Sequence, residues 1–450
     1  MMGEGEDAGL LPPSLPRIPA EDRRSPSNGM QKQEEKNGFG EERHAPSMEE
    51  RALVEGRTSA DARASEEERA PSSTRLRILV VAPSLDINGG QARQAVRLMT
   101  GLASEASLEI GFLPHNPRLP GALRWLQSIK YVRTVVTTVM YVAMLLVRVP
   151  RYDVIHIFSA AYWSYLLSAA PALFIARLYG KKSILNYRSG EADDHLLNWP
   201  RTAAPTMRWA NVIVVPSGYL VDVFARHNLR ARFIYNIVEL DRFRYRERNP
   251  VRPVFLVSRL LEPLYNVACV LRAFQLIQRR YAEAKLTVAA DGYLRPELER
   301  LAFEELKLRN TEFIGFVPFE RMPGMYDAAD VYLTATNIDN MPSSITECMA
   351  SGLPVVTTDA GGIPYIVTHE ETCLMVGRDD PEAMASAALR LLEEEGLAAR
   401  LTRRAREESR KFTWPSVRDE WVKLYHELAR GRVAVKLVAE DAPTPVRREA

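Results

Sequence analysis

The chain has 450 residues, of which 46% are apolar and 26% charged, a composition typical of a globular protein with two or three domains. The formal net charge is +2, and we expect basic residues to be balanced by acidic ones throughout the chain. This charge gives no reason to expect nucleic acid as a partner. Cys269, Cys348 and Cys373 lack metal-ligand spacing and cannot form an even set of disulfides, which indicates a reducing compartment such as the cytosol.

The two ends of the chain have a composition that opposes folding. Residues 1–75 are rich in Glu, Arg, Ser, Pro and Gly, and residues 433–450 end in EDAPTPVRREA. Such segments cannot bury enough apolar surface to offset the entropy lost on ordering. We therefore expect a disordered tail at each end. The N-terminus also lacks an apolar core, so no signal peptide is expected.

Order is predicted to begin at Leu76, where LRILVVAP forms a continuous apolar strand. A glycine turn at Gly89–Gly90 then leads into a helix with one apolar face. Further strands, separated by helical patterns, are predicted at residues 108–113, 153–158, 183–187 and 211–217. Alternating strands and helices form βαβ units, so residues 76–245 are predicted to be a Rossmann-like, doubly wound domain.

The most apolar segment of this domain is Tyr131–Val149. Its uninterrupted part, Thr134–Val147, is shorter than the roughly 20 residues needed to span a bilayer. We therefore interpret it as a buried core helix. The flanking arginines Arg133, Arg148 and Arg151 leave a helix on a membrane surface as the alternative, with a true span least favoured.

A Pro- and Arg-rich link at 241–253 separates this series from a second one. The second series is predicted to contain strands at residues 254–258, 285–290, 311–316, 330–335, 354–358 and 373–377. We assign 246–412 to a second Rossmann-like domain, and 413–432 to a helix that packs back on the first domain. The predicted fold class is α/β, with two doubly wound domains facing each other across a cleft.

The most informative local feature is DVYLTATNIDNMPSSITECMASGLPVV (330–356), in which a strand, a polar loop and a helix follow one another. Pro342 is predicted to be the first helical residue. The free backbone N–H groups near Ser343 and Ser344 would then point out of a helix N-terminus. The partial positive charge there suits a phosphate group.

Two acids of this segment could bind the rest of a nucleotide sugar. Glu347 lies about one turn into the helix, where its carboxylate could accept two hydrogen bonds from a ribose diol. Asp339 lies on the loop, eight positions earlier, and could reach a sugar hydroxyl beside the diphosphate. On spacing alone, a capped helix with a solvated Glu explains the pattern nearly as well.

Two features outside the segment favour the ligand site. Arg259 directly follows the first strand of the second domain, and its guanidinium matches phosphate oxygens in a bidentate manner. Gly89 and Gly90 allow a close approach of backbone to a ligand. Asn266 and Met341 lie beside these segments and are further candidates for donor contacts. DAGGIP (359–364) adds a third glycine turn at the same edge.

From about residue 76 to 430 the chain resembles the family 4 glycosyltransferases, retaining enzymes of the GT-B fold. The matching pieces are LVVAPSLDINGGQARQAVRLM, VVPSGYLVDVFARHNL, VSRLLEPLYNVACVLRAF, FIGFVPFERMPGMYDAADVYL and the block 337–364. The resemblance implies transfer of a sugar from a UDP- or GDP-linked donor, with retained anomeric configuration. It also implies that no metal or other cofactor is needed, because side chains and a helix N-terminus neutralise the leaving diphosphate.

The resemblance assigns roles to four positions. Glu347 matches the second acid of the family's E-x7-E motif, which contacts the ribose. Asp339 stands at the first acid, usually Glu, which contacts the donor sugar. Arg259 matches the diphosphate-binding arginine, and Gly90 matches the N-terminal glycine loop.

The chain departs from the family at two positions. Leu264 stands where a lysine usually binds phosphate. Arg188 stands where a histidine is common; it could itself bind phosphate, and His195 lies nearby in sequence. His156, at the end of a strand, is predicted to pack or to form hydrogen bonds rather than to act as a base.

The leading interpretation is therefore an active glycosyltransferase acting on a glycan or a lipid-linked glycan. It would be cytosolic, with peripheral contact at the inner face of a membrane as a further expectation. The alternatives are a non-catalytic nucleotide- or glycan-binding protein on the same scaffold, and a nucleotide-sugar epimerase or a phosphorylase. For a phosphorylase, neither Lys285 nor Lys307 has the context of a cofactor-anchoring lysine.

Overall fold

The structure, a computed structural model, describes residues 75–431 except 87–88, 120 and 130. The predicted disorder of residues 1–75 and 433–450 therefore concerns residues that lie outside the described part, Arg75 excepted. All described residues belong to one compact unit, Ser73–Ala450.

The first half of the chain forms a parallel six-stranded sheet in the order β2-β1-β3-β4-β5-β6. Its strands are β1 Leu76–Ala82, β2 Leu108–Pro114, β3 Val154–Ser159, β4 Lys182–Tyr187, β5 Val212–Val215 and β6 Ala231–Phe233. Five of them match predicted strands. The sixth, β6, was missed because it is a three-residue, half-buried edge strand with no apolar run.

Helices cover both faces of this first sheet. They are α1 Gly90–Ala103, α2 Val132–Arg148, α3 Tyr162–Ser164, α4 Ala170–Leu178, α5 Ala192–Asn198, α6 Ala203–Met207 and α7 Gly218–Arg226. A π-helical turn, Tyr165–Ala169, joins α3 to α4. The inner strands β1, β3, β4 and β5 are almost entirely buried, which explains their continuous apolar sequences.

The second half forms another parallel six-stranded sheet, in the order β12-β11-β10-β7-β8-β9. Its strands are β7 Val254–Val257, β8 Lys285–Val288, β9 Thr311–Phe313, β10 Val331–Leu333, β11 Val355–Thr358 and β12 Leu374–Val376. Its helices are α8 Val267–Arg280, α9 Arg295–Arg300, α10 Met322–Ala328, α11 Ser343–Ser351, α12 Pro381–Glu393 and α13 Leu397–Ser409. The predicted α/β class with two doubly wound sheets is confirmed.

The strand orders fix where a ligand can bind. In the first sheet the order reverses between β1 and β3, and in the second it reverses between β7 and β10. At such a switch point the neighbouring loops diverge, and a crevice opens at the carboxyl ends of the strands. Gly89–Gly90 follows β1, Arg259 follows β7, and Asp339 follows β10.

The last helix, α14 Trp414–Ala429, packs on the first sheet rather than the second. Its buried residues Val417, Trp421 and Leu424 join the core cluster formed by β1, β3 and α1. The chain therefore crosses from the second sheet back to the first before its described part ends.

The arginine-rich link between the two sheets is a structural clamp. Arg248 is buried and donates hydrogen bonds to five backbone carbonyls, those of Arg246, Tyr326, Ala329, Ser351 and Gly352. Arg246 and Arg252 both pair with Asp330, which is fully buried. Three arginines thus fasten the link to the ends of α10 and α11.

The apolar segment 131–149 differs from its prediction as a buried core helix. It forms α2, of which only Tyr141 and Leu145 are buried. Among the described helices, the stretch Val132–Arg151 is the one long and apolar enough to cross a membrane by length and composition. The prediction failed because an apolar sequence does not show which of its faces a neighbouring helix covers.

Candidate functional site

A cavity of about 360 Å³ opens where the carboxyl edges of the two sheets face each other. Nine of the ten predicted site residues line it: Gly89, Gly90, Arg188, Arg259, Asp339, Met341, Ser343, Ser344 and Glu347. The tenth, Asn266, is not among the lining residues. Its side chain instead accepts the backbone N–H of Cys269 at 3.3 Å, as the N-cap of α8, and donates to Asp379 at 3.1 Å.

One wall of the cavity is the N-terminus of α11. Pro342 is the N-cap, with φ −66° and ψ 119°, so the helix begins one residue later than predicted, at Ser343. No side chain caps this end. The first backbone N–H groups of the helix are therefore available to a ligand, and the helix dipole favours an anion there.

Arg259 and Asp339 form an ion pair within the cavity. The guanidinium of Arg259 also stacks on the ring of Tyr265, 4.3 Å from its centroid. Its Nε is buried and has no hydrogen-bond partner in the described structure. From the sequence, Arg259 and Asp339 were each predicted to contact the ligand separately, whereas in the structure they pair with each other.

Glu347 is held by two side chains that the sequence analysis did not consider. Its Oε1 lies 3.5 Å from Nη2 of Arg97, on α1, and its Oε2 accepts the hydroxyl of Tyr326 at 3.0 Å. Burial raises the pKa of Glu347, and the charges of Arg97 and Arg93 oppose the rise. A solvated Glu347, the alternative that spacing alone left open, is therefore excluded, since only 3% of this residue is exposed.

Arg97 also holds the segment that directly precedes the link between the sheets. Its Nε pairs with Glu239 at 3.0 Å and its Nη1 donates to the carbonyl of Ile237 at 3.0 Å. Arg93, one turn earlier on α1, and Arg97 lie 4.8 Å and 5.1 Å from the ring centroid of Phe319, in the second half of the chain. The i, i+4 spacing of the two arginines was the one signal in the sequence that could have revealed them.

Arg188 is held by a chain of hydrogen bonds that crosses the first sheet. Its Nη1 donates to Oδ1 of Asn186 at 3.1 Å. The Nδ2 of the same amide donates to Nε2 of His156 at 2.9 Å. The Nδ1 of that ring then donates to the hydroxyl of Tyr425, on α14, at 2.7 Å. This tautomer is assigned from the partners of the two ring nitrogens.

Burial, with Arg97 nearby, lowers the pKa of Arg188 to about 9, so the group still carries its charge at neutral pH. Its Nη2 is buried and has no hydrogen-bond partner among the described residues. Burial and the charge of Arg188 lower the pKa of His156 to about 3, which agrees with a neutral ring that accepts from Asn186.

His195 does not line the cavity. It lies in an aromatic cluster with Tyr162, Tyr165 and Trp199, and its Nδ1 is 3.1 Å from the hydroxyl of Tyr187. Burial lowers its pKa to about 4. It therefore has the surroundings of a neutral core histidine.

Leu264, where the family has lysine, is also absent from the lining. Its carbonyl accepts the backbone N–H of Asn337 at 2.9 Å, which fixes the loop that precedes α11. The next residue, Tyr265, lines the cavity and stacks on Arg259. An aromatic ring thus lies near the place where the family resemblance implies a cation.

The two glycine pairs differ in what surrounds them. Among the described residues, no atom lies within 4 Å of a Cβ built on Gly89 or Gly90, so these residues leave the space open to the cavity. A Cβ on Gly361 would lie 2.2 Å from the carbonyl oxygen of Asp339, and one on Gly362 only 1.9 Å from that of Asn340. The second pair therefore supports the loop of Asp339 and does not face a ligand.

Comparison with known proteins finds a family match for part of the chain. Residues 252–394 match the family described as Glycosyl transferases group 1. The D-inositol 3-phosphate glycosyltransferase of Corynebacterium jeikeium is 31% identical over 224 residues, which are 48% of this chain and 51% of that protein. The mannosylfructose-phosphate synthase of Agrobacterium fabrum is 27% identical over 176 residues, 37% of this chain and 38% of that protein. The chain thus matches about half or less of these relatives.

Solved structures share the fold over a longer range. Anabaena HepE superposes with a TM-score of 0.63 at 15% identity, over 78% of this chain and 100% of that one. Sucrose-phosphate synthase from Thermosynechococcus elongatus gives 0.62 at 18% identity, over 79% and 100%. The fold is that of the GT-B glycosyltransferases. Residues 252–394 form a glycosyl transferases group 1 domain, and the chain is related to glycosyltransferases.

Proposed function

We propose that this protein is a retaining, family 4 type glycosyltransferase that moves a sugar from a UDP- or GDP-linked donor to an acceptor. One observation carries the proposal. Nη2 of Arg188 and Nε of Arg259 are buried donors that have no partner among the described residues, and both side chains line the cavity into which the N-terminus of α11 opens. Unsatisfied buried donors are rare in proteins, and an anion such as a diphosphate would satisfy both.

In this proposal, catalysis comes mainly from stabilising the leaving diphosphate. Negative charge develops on it as its bond to the sugar breaks, and Arg259, Arg188 and the helix N-terminus are already oriented towards that charge. The cationic groups supply the positive charge, so no metal or other cofactor is required. Gly89 and Gly90 leave room for the diphosphate on the first-domain side.

Glu347 is proposed to bind the ribose of the donor. Arg97 and Tyr326 each occupy one of its carboxylate oxygens, and each oxygen can accept a further hydrogen bond. Asp339 is proposed to contact the donor sugar, a role in which it shares its carboxylate between a sugar hydroxyl and Arg259. Met341 contributes to the wall between them, its carbonyl held by Asn236 at 3.2 Å.

The acceptor is proposed to be a glycan or a lipid-linked glycan that enters from the first domain, and the protein is proposed to work in the cytosol. One structural neighbour, Anabaena HepE, was solved in complex with UDP-glucose. That supports a nucleotide-sugar donor for this chain as well.

The experiment is a thermal-shift screen with UDP, GDP and their common sugar conjugates, followed by turnover with each donor that binds. A bound donor raises the melting temperature by mass action. We expect a shift with one nucleotide series, and slow hydrolysis that releases the sugar with its anomeric configuration retained, seen by NMR. A chain that binds none of these donors would contradict the proposal, as would inversion of the anomer.

A non-catalytic binding protein is the second candidate, favoured by two observations. Leu264 removes the usual lysine, and Asp339 is already paired with Arg259. Such a protein would bind the donor in the same screen and turn none of it over, with or without acceptor glycans. Conversion of the free donor to its epimer would instead identify an epimerase.

A further inference from the structure

Helix α2 presents an apolar stripe to solvent. Val135, Val139 and Val147 are 63%, 64% and 58% exposed, and Leu146 is 40% exposed. Val135, Val139, the exposed Ala143 and Val147 follow one another four positions apart and so lie along one side of the helix, with Leu146 next to them. From residue 135 to 147 the stripe runs for about 18 Å, at 1.5 Å per residue.

The neighbouring helix α4 extends this apolar surface. Helices α2 and α4 pack against each other, and α4 exposes Phe174 and Leu178, one turn apart, at 53% and 62%. Single exposed apolar side chains are normal on a protein surface. Two adjacent helices that both expose large apolar residues instead mark an interaction surface.

The same region of the chain is strongly basic. Residues 111–190 contain ten Lys and Arg residues and a single acid, Asp153, although the whole chain has a net charge of only +2. The expected balance of charges along the chain is therefore wrong here. Asp153 is itself paired with Arg77. Arg133 and Arg151, near the two ends of α2, and Arg177, on α4, are exposed.

The position of α2 in the fold prevents it from crossing a bilayer. It connects β2 to β3, and both of these strands pair with β1 in the same sheet. Its inner side is fixed in the core through Leu145 and Tyr141, whose hydroxyl donates to the carbonyl of Ser168 at 2.8 Å. Only the outer face of the helix is available, and that face could lie in a membrane surface but not span it.

We propose that the exposed face of α2 and α4 binds the surface of an anionic lipid bilayer, with α2 lying in the membrane plane. The apolar stripe enters the boundary between headgroups and acyl chains, and the surrounding cations attract anionic headgroups. A second copy of the chain is the poorer partner for this face. A symmetric dimer would bring two identical cationic surfaces together. The surface is independent of the proposed catalytic activity.

The test is co-sedimentation of the full chain with vesicles of phosphatidylcholine, alone or with 30% phosphatidylglycerol, at low and high salt. We expect binding to the anionic vesicles that falls by at least tenfold in high salt and in the variant Val135→Glu/Val139→Glu. Because both side chains are exposed, this variant should keep the melting temperature of the wild type.

The matched control is Phe303→Glu, an exposed apolar residue of the second domain that is 44% exposed. It should bind vesicles as the wild type does. The proposal is overturned if the wild type sediments with neither vesicle, or if the double variant still binds. It is equally overturned if light scattering shows that the wild type is a dimer and the double variant a monomer. A second copy of the chain would then cover this face.

Discussion

The two walls of the cavity are built in different ways. On the second-domain side, Asp339, Ser343 and Glu347 come from one continuous segment that follows β10. On the first-domain side, Arg188 depends on Asn186, His156 and Tyr425, and the last of these lies more than 200 residues further along the chain. One wall is thus a local motif, and the other is a long-range assembly.

This difference explains how each wall responds to change. The continuous segment itself carries the side chains that face the ligand, so a substitution of one of them acts directly on the ligand. A long-range assembly can fail at residues that never touch the ligand, because each hydrogen bond orients the next. Substitutions at both walls can separate the two behaviours.

The largest effect is expected for Arg259→Ala. Removing one partner of a buried charge pair costs about 2–5 kcal/mol, so the affinity for UDP or GDP, whichever binds in the screen, should fall by about 30-fold or more. Calorimetric titration measures it. Arg280→Ala removes an exposed ion pair with Glu393 and should change nothing. If both variants bind alike, Arg259 does not hold the diphosphate.

A smaller effect is expected for Gly362→Ala, which tests the support of the local wall. The new Cβ would lie 1.9 Å from the carbonyl oxygen of Asn340, so the loop of Asp339 must shift. Overpacking of this kind costs about 1–3 kcal/mol, measured as a lower midpoint of urea unfolding. In Gly324→Ala, on α10, the methyl group meets no atom within 4 Å, and the midpoint should stay the same or rise.

The long-range wall should also respond to acid, because it contains a buried imidazole. The pKa of His156 is lowered to about 3, against roughly 6.5 in an unfolded chain. Below pH 6.5 the unfolded state therefore binds more protons than the folded state, and stability falls as the pH falls towards 3. Between pH 7 and 5.5 this one residue should cost about 1 kcal/mol.

Urea midpoints at these two pH values measure the loss. The glutamine in His156→Gln cannot titrate. On acidification the free energy of unfolding of this variant should therefore fall by about 1 kcal/mol less than that of the wild type, although the variant is less stable at pH 7. Equal losses in the two proteins would mean that His156 takes up its proton at the same pH in the folded and the unfolded state.

The smallest effect is expected for Asn186→Ala, which breaks the assembly next to Arg188. The guanidinium keeps its charge but loses its orientation, so nucleotide affinity should fall by about three- to tenfold, which is roughly 1 kcal/mol. Tyr425→Phe removes a hydroxyl at the far end and leaves the contact between Asn186 and Arg188 in place. Tyr425→Phe should lower the free energy of unfolding and leave the nucleotide affinity within twofold of the wild type. Equal affinity losses in the two variants would contradict a positioning role for Asn186.

The sequence predicted the second wall well and the first only in part. Eleven of the twelve strands, and nine residues around one cavity, follow from apolar runs, glycine turns and the family resemblance. Arg97 was missed because its partner Glu347 lies 250 positions away, a distance at which no spacing rule applies. Asn266 was placed in the site because it follows β7 closely, but its side chain caps a helix instead.

The sequence by itself determined the features that depend on residues close together along the chain. Buried parallel strands need continuous apolar runs, and a helix N-terminus needs its flanking loop, so both leave a local pattern. Only the tertiary structure decided which polar groups meet and which faces remain uncovered. The pairing of Arg97 with Glu347, the hydrogen bonds behind Arg188, and the exposed stripe of α2 all depend on elements that are distant in sequence and adjacent in space.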